Sequence, residues 1–426
     1  MLDESNSPVS ASDVVDKADR FEWSGGKLEP GIALALSGGG YRAMLFHAGA
    51  LMRFNEFGLL SKTARISSVS GGSITAGVLA HRWSSLGAPD ANGVYANFKQ
   101  LVVDPLFAFS KQNIDLIDAI WGRLPFRSPA NEVARSYDKF LFGCATLQSL
   151  PDTPRFVFCA SNLQTGVLWR FSKLYAGDYL VGRIDDPAFR LAEAVAASSA
   201  FPPVLSPLEL TPGVEAFQDW PRKPGESPLP DMSAYRRRVL LADGGAYDNH
   251  GLEPIVKRYM TLFVSDGGAP FVRMEDINTG EISQLRRVFD LTDNQVRALR
   301  RRDLIARFVD GRNKLMSGAL KIDGMDATAR FGTYWGIDGG VTAGPRPTRC
   351  RMTWRRPNIS PDCQLGLPIS ATTRPVSSLT GATRSATETF ARITSARCRS
   401  PAPRRPGLSP RRRSAEKRRQ CSFVRL

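Results

Sequence analysis

The sequence predicts an α/β domain built on a largely parallel sheet, and three observations carry that prediction. From Gly31 onward, short apolar runs alternate with longer stretches of helical spacing. Three of the apolar runs stop at glycine-rich or serine-rich loops, after Leu36, Val69 and Ala242, where an open α/β sheet places its site. A chain of 426 residues, 42% hydrophobic and 23% charged, is also long enough for one large domain with appendages.

Residues 1–28 hold acidic side chains (Asp3, Glu4, Asp13, Asp16, Asp19, Glu22) with neither a basic start nor an apolar core. They read as a solvated leader, and no signal peptide is expected. Gly31–Leu36 is a buried strand that runs into Ser37-Gly38-Gly39-Gly40. A helix from about Tyr41 follows, with Gly58 placed to end it. Arg65–Val69 is a second strand, turning at Ser70-Gly71-Gly72 into a helix that reaches about Gly87. Further strands are expected at Phe156–Ala160, Val239–Ala242 and Leu262–Ser265. A helix over Leu191–Ala200 is stopped by Pro202-Pro203. Residues 211–236, rich in proline and mixed charge, look like a surface insertion. The segment 101–126 carries many large apolar side chains, among them Leu106, Phe107, Phe109 and Trp121. It reads as core packing, with a cap over a greasy pocket or an interfacial contact as the alternative.

Beyond about Gly344 the text changes to Arg, Pro, Ser, Thr and Cys. From Pro345 to the end there are 19 Lys+Arg and 3 Asp+Glu, which leaves 38 of each sign before it. The net charge of +16 therefore belongs entirely to residues 345–426, and the body is neutral. Such a tail lacks the apolar content to offset its ordering entropy and is expected to be disordered. Its abrupt start suggests out-of-frame translation; the alternative is a polybasic tail that docks on anionic lipid. A neutral body without interleaved aromatics speaks against nucleic acid as a partner. No stretch approaches the ~20 apolar residues of a membrane span. Cys144 and Cys159 show no metal spacing, and a reducing cytoplasm is the expected compartment.

Chemistry is concentrated in the three loops. In Ser68-Val69-Ser70-Gly71-Gly72 a serine sits on a tight strand-to-helix turn with small residues on both sides, the pattern of a nucleophile elbow. Ser68 stands where glycine is usual. A helix N-terminus there favours an alkoxide-like serine, although a plain glycine turn would look much the same. Gly38-Gly39-Gly40 exposes backbone N–H groups suited to an anion, whether a phosphate or an oxyanion. The same residues spell Gly38-x-Gly40-x-x-Ala43, a dinucleotide fingerprint, but the next strand ends in serine rather than the acid that would hold a ribose. Asp243-Gly244-Gly245 follows a buried strand and reads either as a turn or as a base at a pocket mouth. The chain has three histidines. His47 lies about 10 Å and His81 about 16 Å along their helices, too far to serve Ser70. With only His250 left, a serine activated directly by a carboxylate is the economical reading.

Taken together, Gly38-Gly39-Gly40-x-Arg42, Ser68-x-Ser70-x-Gly72 and Asp243-Gly244-Gly245 resemble the marks of the patatin-like phospholipases. Ala160–Gly166 and Ala197–Pro203 are similar to further family blocks, so the likeness spans about Gly31 to Asp266 in order. The resemblance implies a three-layer α/β/α fold over residues 29–344 and a carboxylic ester hydrolase acting on phospholipid or another acyl-ester lipid. It implies Ser70 as nucleophile, Asp243 as base and an oxyanion hole from Gly38, Gly39 and Gly40 with Arg42. Ser68, Gly71, Gly72, Gly244 and Gly245 would shape the elbow and the loop. No metal or cofactor is implied, and peripheral membrane contact is compatible with such a substrate. A catalytically weak lipid-binding protein is the alternative, because of Ser68 and the unusual C-terminus.

Overall fold

The computed structural model describes residues 28–112, 129–220, 229–320 and 328–338. The 1–28 leader except its last residue, the 345–426 tail, residues 113–126 of the aromatic segment and residues 221–228 of the expected insertion lie outside the described residues. Strand β1 (Glu29–Leu36) lies inside the sheet, parallel to β2 (Thr63–Val69) on one side and to β9 (Tyr259–Asp266) on the other. The full path is β10-β9-β1-β2-β3-β4-β5-β6. The five strands from β10 (Phe331–Gly336) to β3 (Arg155–Asn162) are parallel. An antiparallel meander of β4 (Leu168–Phe171), β5 (Tyr175–Asp178) and β6 (Gly182–Asp185) extends the sheet beyond β3. Strand β7 (Leu208–Leu210) pairs with β8 (Val239–Asp243), which returns antiparallel to β3 and sets Asp243 opposite Ala160.

Strand alternation sends β1 side chains to two different cores. Leu34 and Leu36 join the larger one with α1 (Gly40–Glu56), α2 (Gly71–Arg82), α3 (Asp104–Gln112), α4 (Pro129–Tyr137) and α5 (Leu191–Ser198). Ala33 and Ala35 face the second core, closed by Leu252, Ile255 and by Leu304 and Phe308 of the long helix α6 (Glu281–Met316). The result is helices, sheet, helices: the expected three-layer α/β/α arrangement. Within the segment 101–126, the described residues Val102, Val103, Leu106 and Phe109 are buried in the larger core. Among the described residues no helix is long and apolar enough to cross a membrane.

The chain leaves β1 towards β2 on one side and leaves its neighbour β9 towards β10 on the other. This is a topological switch point, and the crevice beyond the strand ends is where such sheets bind ligands. The loops after β1, β2 and β9 all open there.

Candidate active site

Ser70 directly follows β2 and heads α2. Its backbone has φ 52° and ψ −121°, a conformation that non-glycine residues occupy rarely and at a cost of about 1–3 kcal/mol. The turn is tight because the loop after β1 presses on it. A Cβ on Gly71 would lie 2.1 Å from the Gly40 carbonyl oxygen, and one on Gly72 2.3 Å from that of Leu36. Ser68, where glycine is usual, is fully buried: its hydroxyl donates to the Val157 carbonyl at 3.3 Å and accepts from Ser73 Oγ at 2.9 Å.

Asp243 ends β8 and is buried, with 5% of its surface exposed. Burial drives its pKa up from 3.8 to about 6. The Gly245 N–H, 2.7 Å from Oδ1, and the Ser70 hydroxyl as a second donor pull it down, while the charge of Asp293 on α6 pushes it up. A serine hydroxyl thus faces a carboxylate poised near neutrality, as a general base requires. The two loops also share a support. The Ser198 carbonyl, at the end of α5, accepts both the Ser70 N–H at 3.1 Å and the Gly244 N–H at 3.2 Å. A Cβ on Gly244 would meet the Cys159 carbonyl oxygen at 2.2 Å, so this approach also needs glycine.

The glycine loop runs alongside. A Cβ on Gly38 would lie 3.2 Å from Ser70 Cβ, and Gly39 and Gly40 have φ 141° and 64°. Of the three residues expected to form an oxyanion hole, Gly38 is corrected: its N–H is already donated to the Asn249 carbonyl at 2.9 Å. The Gly39 and Gly40 N–H groups, at the start of α1, have no such partner among the described residues. Arg42 follows on the first turn of α1. Its Nε is buried and has no hydrogen-bond partner among the described residues. Burial first, then the like charge of Arg297, lower its pKa, and Asp266 raises it in part.

Residues 34–256, just over half of the chain, match the family model of the patatin-like phospholipases. The chain belongs to that family. Solved structures resemble it distantly. Human GIVD cytosolic phospholipase A2 is 15% identical, with 60% of this chain and 46% of that one covered and a TM-score of 0.36. Its complex with a methyl gamma-linolenyl fluorophosphonate inhibitor and terbium chloride gives 16%, 65%, 51% and 0.36. VipD from Legionella pneumophila gives 16%, 68%, 56% and 0.27. The chain spans about half the length of these proteins. No curated protein matches it.

The histidines of this patatin-like domain stand apart from the serine. His47 is fully buried, within 2.9 Å of both Ser265 Oγ and the Ser37 carbonyl oxygen, and burial lowers its pKa to about 4. That neutral ring donates from Nε2 to Ser37 and accepts at Nδ1 from Ser265. His81 packs edge-on to Phe142. His250 Nε2 lies 3.1 Å from Asp266 Oδ2. None of the three hydrogen-bonds to Ser70 among the described residues. Tyr41, Phe109, Tyr137 and Phe142 pack edge to face in series, at 6.0, 5.8 and 6.3 Å. The Tyr137 hydroxyl of that row lies 3.2 Å from Ser199 Oγ, next to the shared support at Ser198. Among the described residues no cluster of His, Cys, Asp or Glu is arranged to hold a metal.

Four residues near the site escaped the sequence reading: Asn249, Asp266, Asp293 and Arg297. One signal was present. Asp266-Gly267-Gly268 repeats the Asp-Gly-Gly pattern at the end of another expected strand, and the strand-end rule applied to Asp243 fits it equally. Nothing local marks Asp293 and Arg297, which arrive on a helix distant in sequence.

Proposed function

We propose that this chain is a carboxylic ester hydrolase that removes fatty acyl groups from phospholipid or another acyl-ester lipid, with Ser70 as nucleophile and Asp243 as base. The observation that carries the reading is the pairing itself: a strained serine at the N-terminus of α2 facing a buried carboxylate whose pKa is raised to about 6.

In the mechanism, Asp243 takes the Ser70 proton as Oγ bonds to the ester carbonyl carbon. The carbonyl oxygen becomes an oxyanion against the Gly39 and Gly40 N–H groups, with Arg42 adding positive charge nearby. Asp243 returns the proton to the departing alcohol oxygen as the ester bond breaks, leaving an acyl-enzyme. It then takes a proton from water, whose oxygen attacks the acyl carbon; the fatty acid leaves and Ser70 recovers its proton. The aromatic row from Tyr41 to Phe142 supports an apolar wall for the acyl chain. The catalytic unit would span about residues 29–344. Contact with a membrane surface would be peripheral.

Turnover of a short-chain nitrophenyl ester, and then of phospholipid vesicles, tests this with Ser70→Ala and His250→Gln beside the wild type. His250→Gln can still donate to Asp266 but cannot act as a base. Loss of turnover in Ser70→Ala with retention in His250→Gln is the expected result. Retained turnover in Ser70→Ala sinks the reading; loss in a folded His250→Gln restores a histidine to the chemistry.

A further inference from the structure

The glycine loop is gripped by a part of the chain that lies beyond the family match. Its first residue, Ser37, is fully buried and fixed from four directions. Its N–H donates to the Ser265 carbonyl at 3.0 Å, and its carbonyl accepts from His47 Nε2 at 2.9 Å. Its Oγ accepts the Gly267 N–H at 2.8 Å and lies 3.1 Å from Asp266 Oδ1. Asp266 in turn is held by Arg297 Nη2 at 3.0 and 2.9 Å, by the Gly268 N–H at 2.9 Å, by His250 Nε2 at 3.1 Å and by the Tyr334 hydroxyl. Two of these partners come from late elements, Arg297 from α6 and Tyr334 from β10.

We propose that Asp266 is a positioning residue for ester hydrolysis, acting through Ser37 to fix the Gly39 and Gly40 N–H groups beside Ser70. The inference rests on the hydrolase reading above. Three successive glycines have no conformational preference of their own that would hold two amides in one direction. Donors to an oxyanion are effective only when they are already in place as charge develops. The loop therefore needs an external anchor, and the geometry supplies one at its first residue. The anchor is stiff because the carboxylate is buried among five donor groups from five stretches of the chain. Gly39 is further confined by the same strand end, since a Cβ there would meet the Gly267 carbonyl oxygen at 2.6 Å. Among the described residues Asp266 makes no hydrogen bond to Ser70 or Asp243, so its effect on chemistry passes through the loop and through its charge near Arg42, and only the first route runs through Ser37.

Asp266→Asn is the direct variant but risks unfolding, because it removes the buried negative charge that pairs with Arg297 Nη2. Ser37→Ala is the cleaner one: it deletes the link and leaves Asp266 with its other donors. As a stability control, Asp178→Ala removes a buried acceptor for the Leu180 and Val181 N–H groups in the β5–β6 turn. For the full chain, the measurements are kcat and KM on a nitrophenyl ester, the rate at which an alkyl fluorophosphonate labels Ser70, and melting curves. Ser37→Ala should lower kcat and labelling in parallel by about 10–100-fold, with KM within about twofold. Its acid pH limb should stay near 6, because Asp243 is untouched. Asp178→Ala should melt lower with kcat unchanged. The inference is overturned if Ser37→Ala keeps kcat within about twofold of an active wild type, or if Asp178→Ala loses kcat to the same degree. A wild type that neither turns over nor becomes labelled overturns the hydrolase reading and this inference with it.

Discussion

Ser70 and Gly244 donate their backbone N–H groups to a single acceptor, the Ser198 carbonyl, so the candidate nucleophile and the loop of the candidate base are tied to the end of one helix. The Ser198 hydroxyl reinforces the knot: it accepts the Ser70 N–H at 3.0 Å, lies 2.8 Å from Ser73 Oγ and donates to the Cys159 carbonyl at 2.6 Å. Ser198→Ala leaves the carbonyl in place and removes the hydroxyl: the Ser70 N–H keeps the Ser198 carbonyl and Ser73 keeps Ser68, while the buried Cys159 carbonyl loses a donor. The expected cost is about 1–3 kcal/mol of stability, with kcat reduced by about tenfold as the elbow loosens. Thermal melting and steady-state kinetics check both; an unchanged melting curve with unchanged kcat contradicts this account of the knot.

The acid limb of activity should report Asp243. A base works only when ionised, so kcat/KM is expected to rise with pH through about 6, not through the ordinary aspartate value of 3.8. Asp293 contributes to that elevation by its negative charge. Asp293→Asn should move the limb to lower pH, and a pH–rate profile of the two proteins checks it. A limb that does not move, or that moves upward, removes Asp293 from the electrostatics of the site.

Two substitutions at the elbow should behave oppositely. Gly38→Ala places a Cβ 2.1 Å from Asn249 Oδ1 and 3.2 Å from Ser70 Cβ, so either the loop or the serine must shift. Activity should fall by at least about 100-fold, the scale of a small displacement at a reacting centre. Ser68→Gly restores the residue usual at that position. It loses one hydrogen bond to Val157 and one from Ser73, and Ser73 retains Ser198. A stability loss of about 1–2 kcal/mol with activity within a few-fold is expected. Loss of activity in Ser68→Gly as deep as in Gly38→Ala would show that this elbow depends on its serine hydroxyl.

The readable parts of the sequence were those where one local rule is enough. β1, β3 and β9 carry apolar runs because they are buried on both faces, and the loops after β1, β2 and β8 announce themselves through their glycines, of which Gly71, Gly72 and Gly244 leave no room for a Cβ. The strands β4 to β6 have four residues each, too few to show a period, and are set by antiparallel pairing instead. The support at Ser198 was visible as a motif but not as a function, because its value lies in two bonds to loops 128 and 46 residues away in numbering. The amide of Gly38 looked open for the same reason: its acceptor, Asn249, comes from the other end of the domain. Asp293 and Arg297 reach the site only through tertiary packing of α6.

Asp243→Asn should separate stability from activity. The folded pKa of about 6 is above the ordinary 3.8, so the native state binds this proton more tightly than the unfolded chain does. The favourable contribution is complete below about pH 4 and is lost as pH rises through 6, leaving a buried charge at pH 8. Asparagine keeps an oxygen for the Gly245 N–H and carries no charge. The variant should therefore be more stable at pH 8, by up to about 3 kcal/mol for a shift of about two units, with a gain that shrinks to nothing near pH 4. Turnover should be lost at every pH. Melting the two proteins at pH 4 and pH 8 decides it. A variant less stable than wild type at pH 8 would mean that the carboxylate is solvated or paired in the folded protein, and the argument for a base with a raised pKa would fall with it.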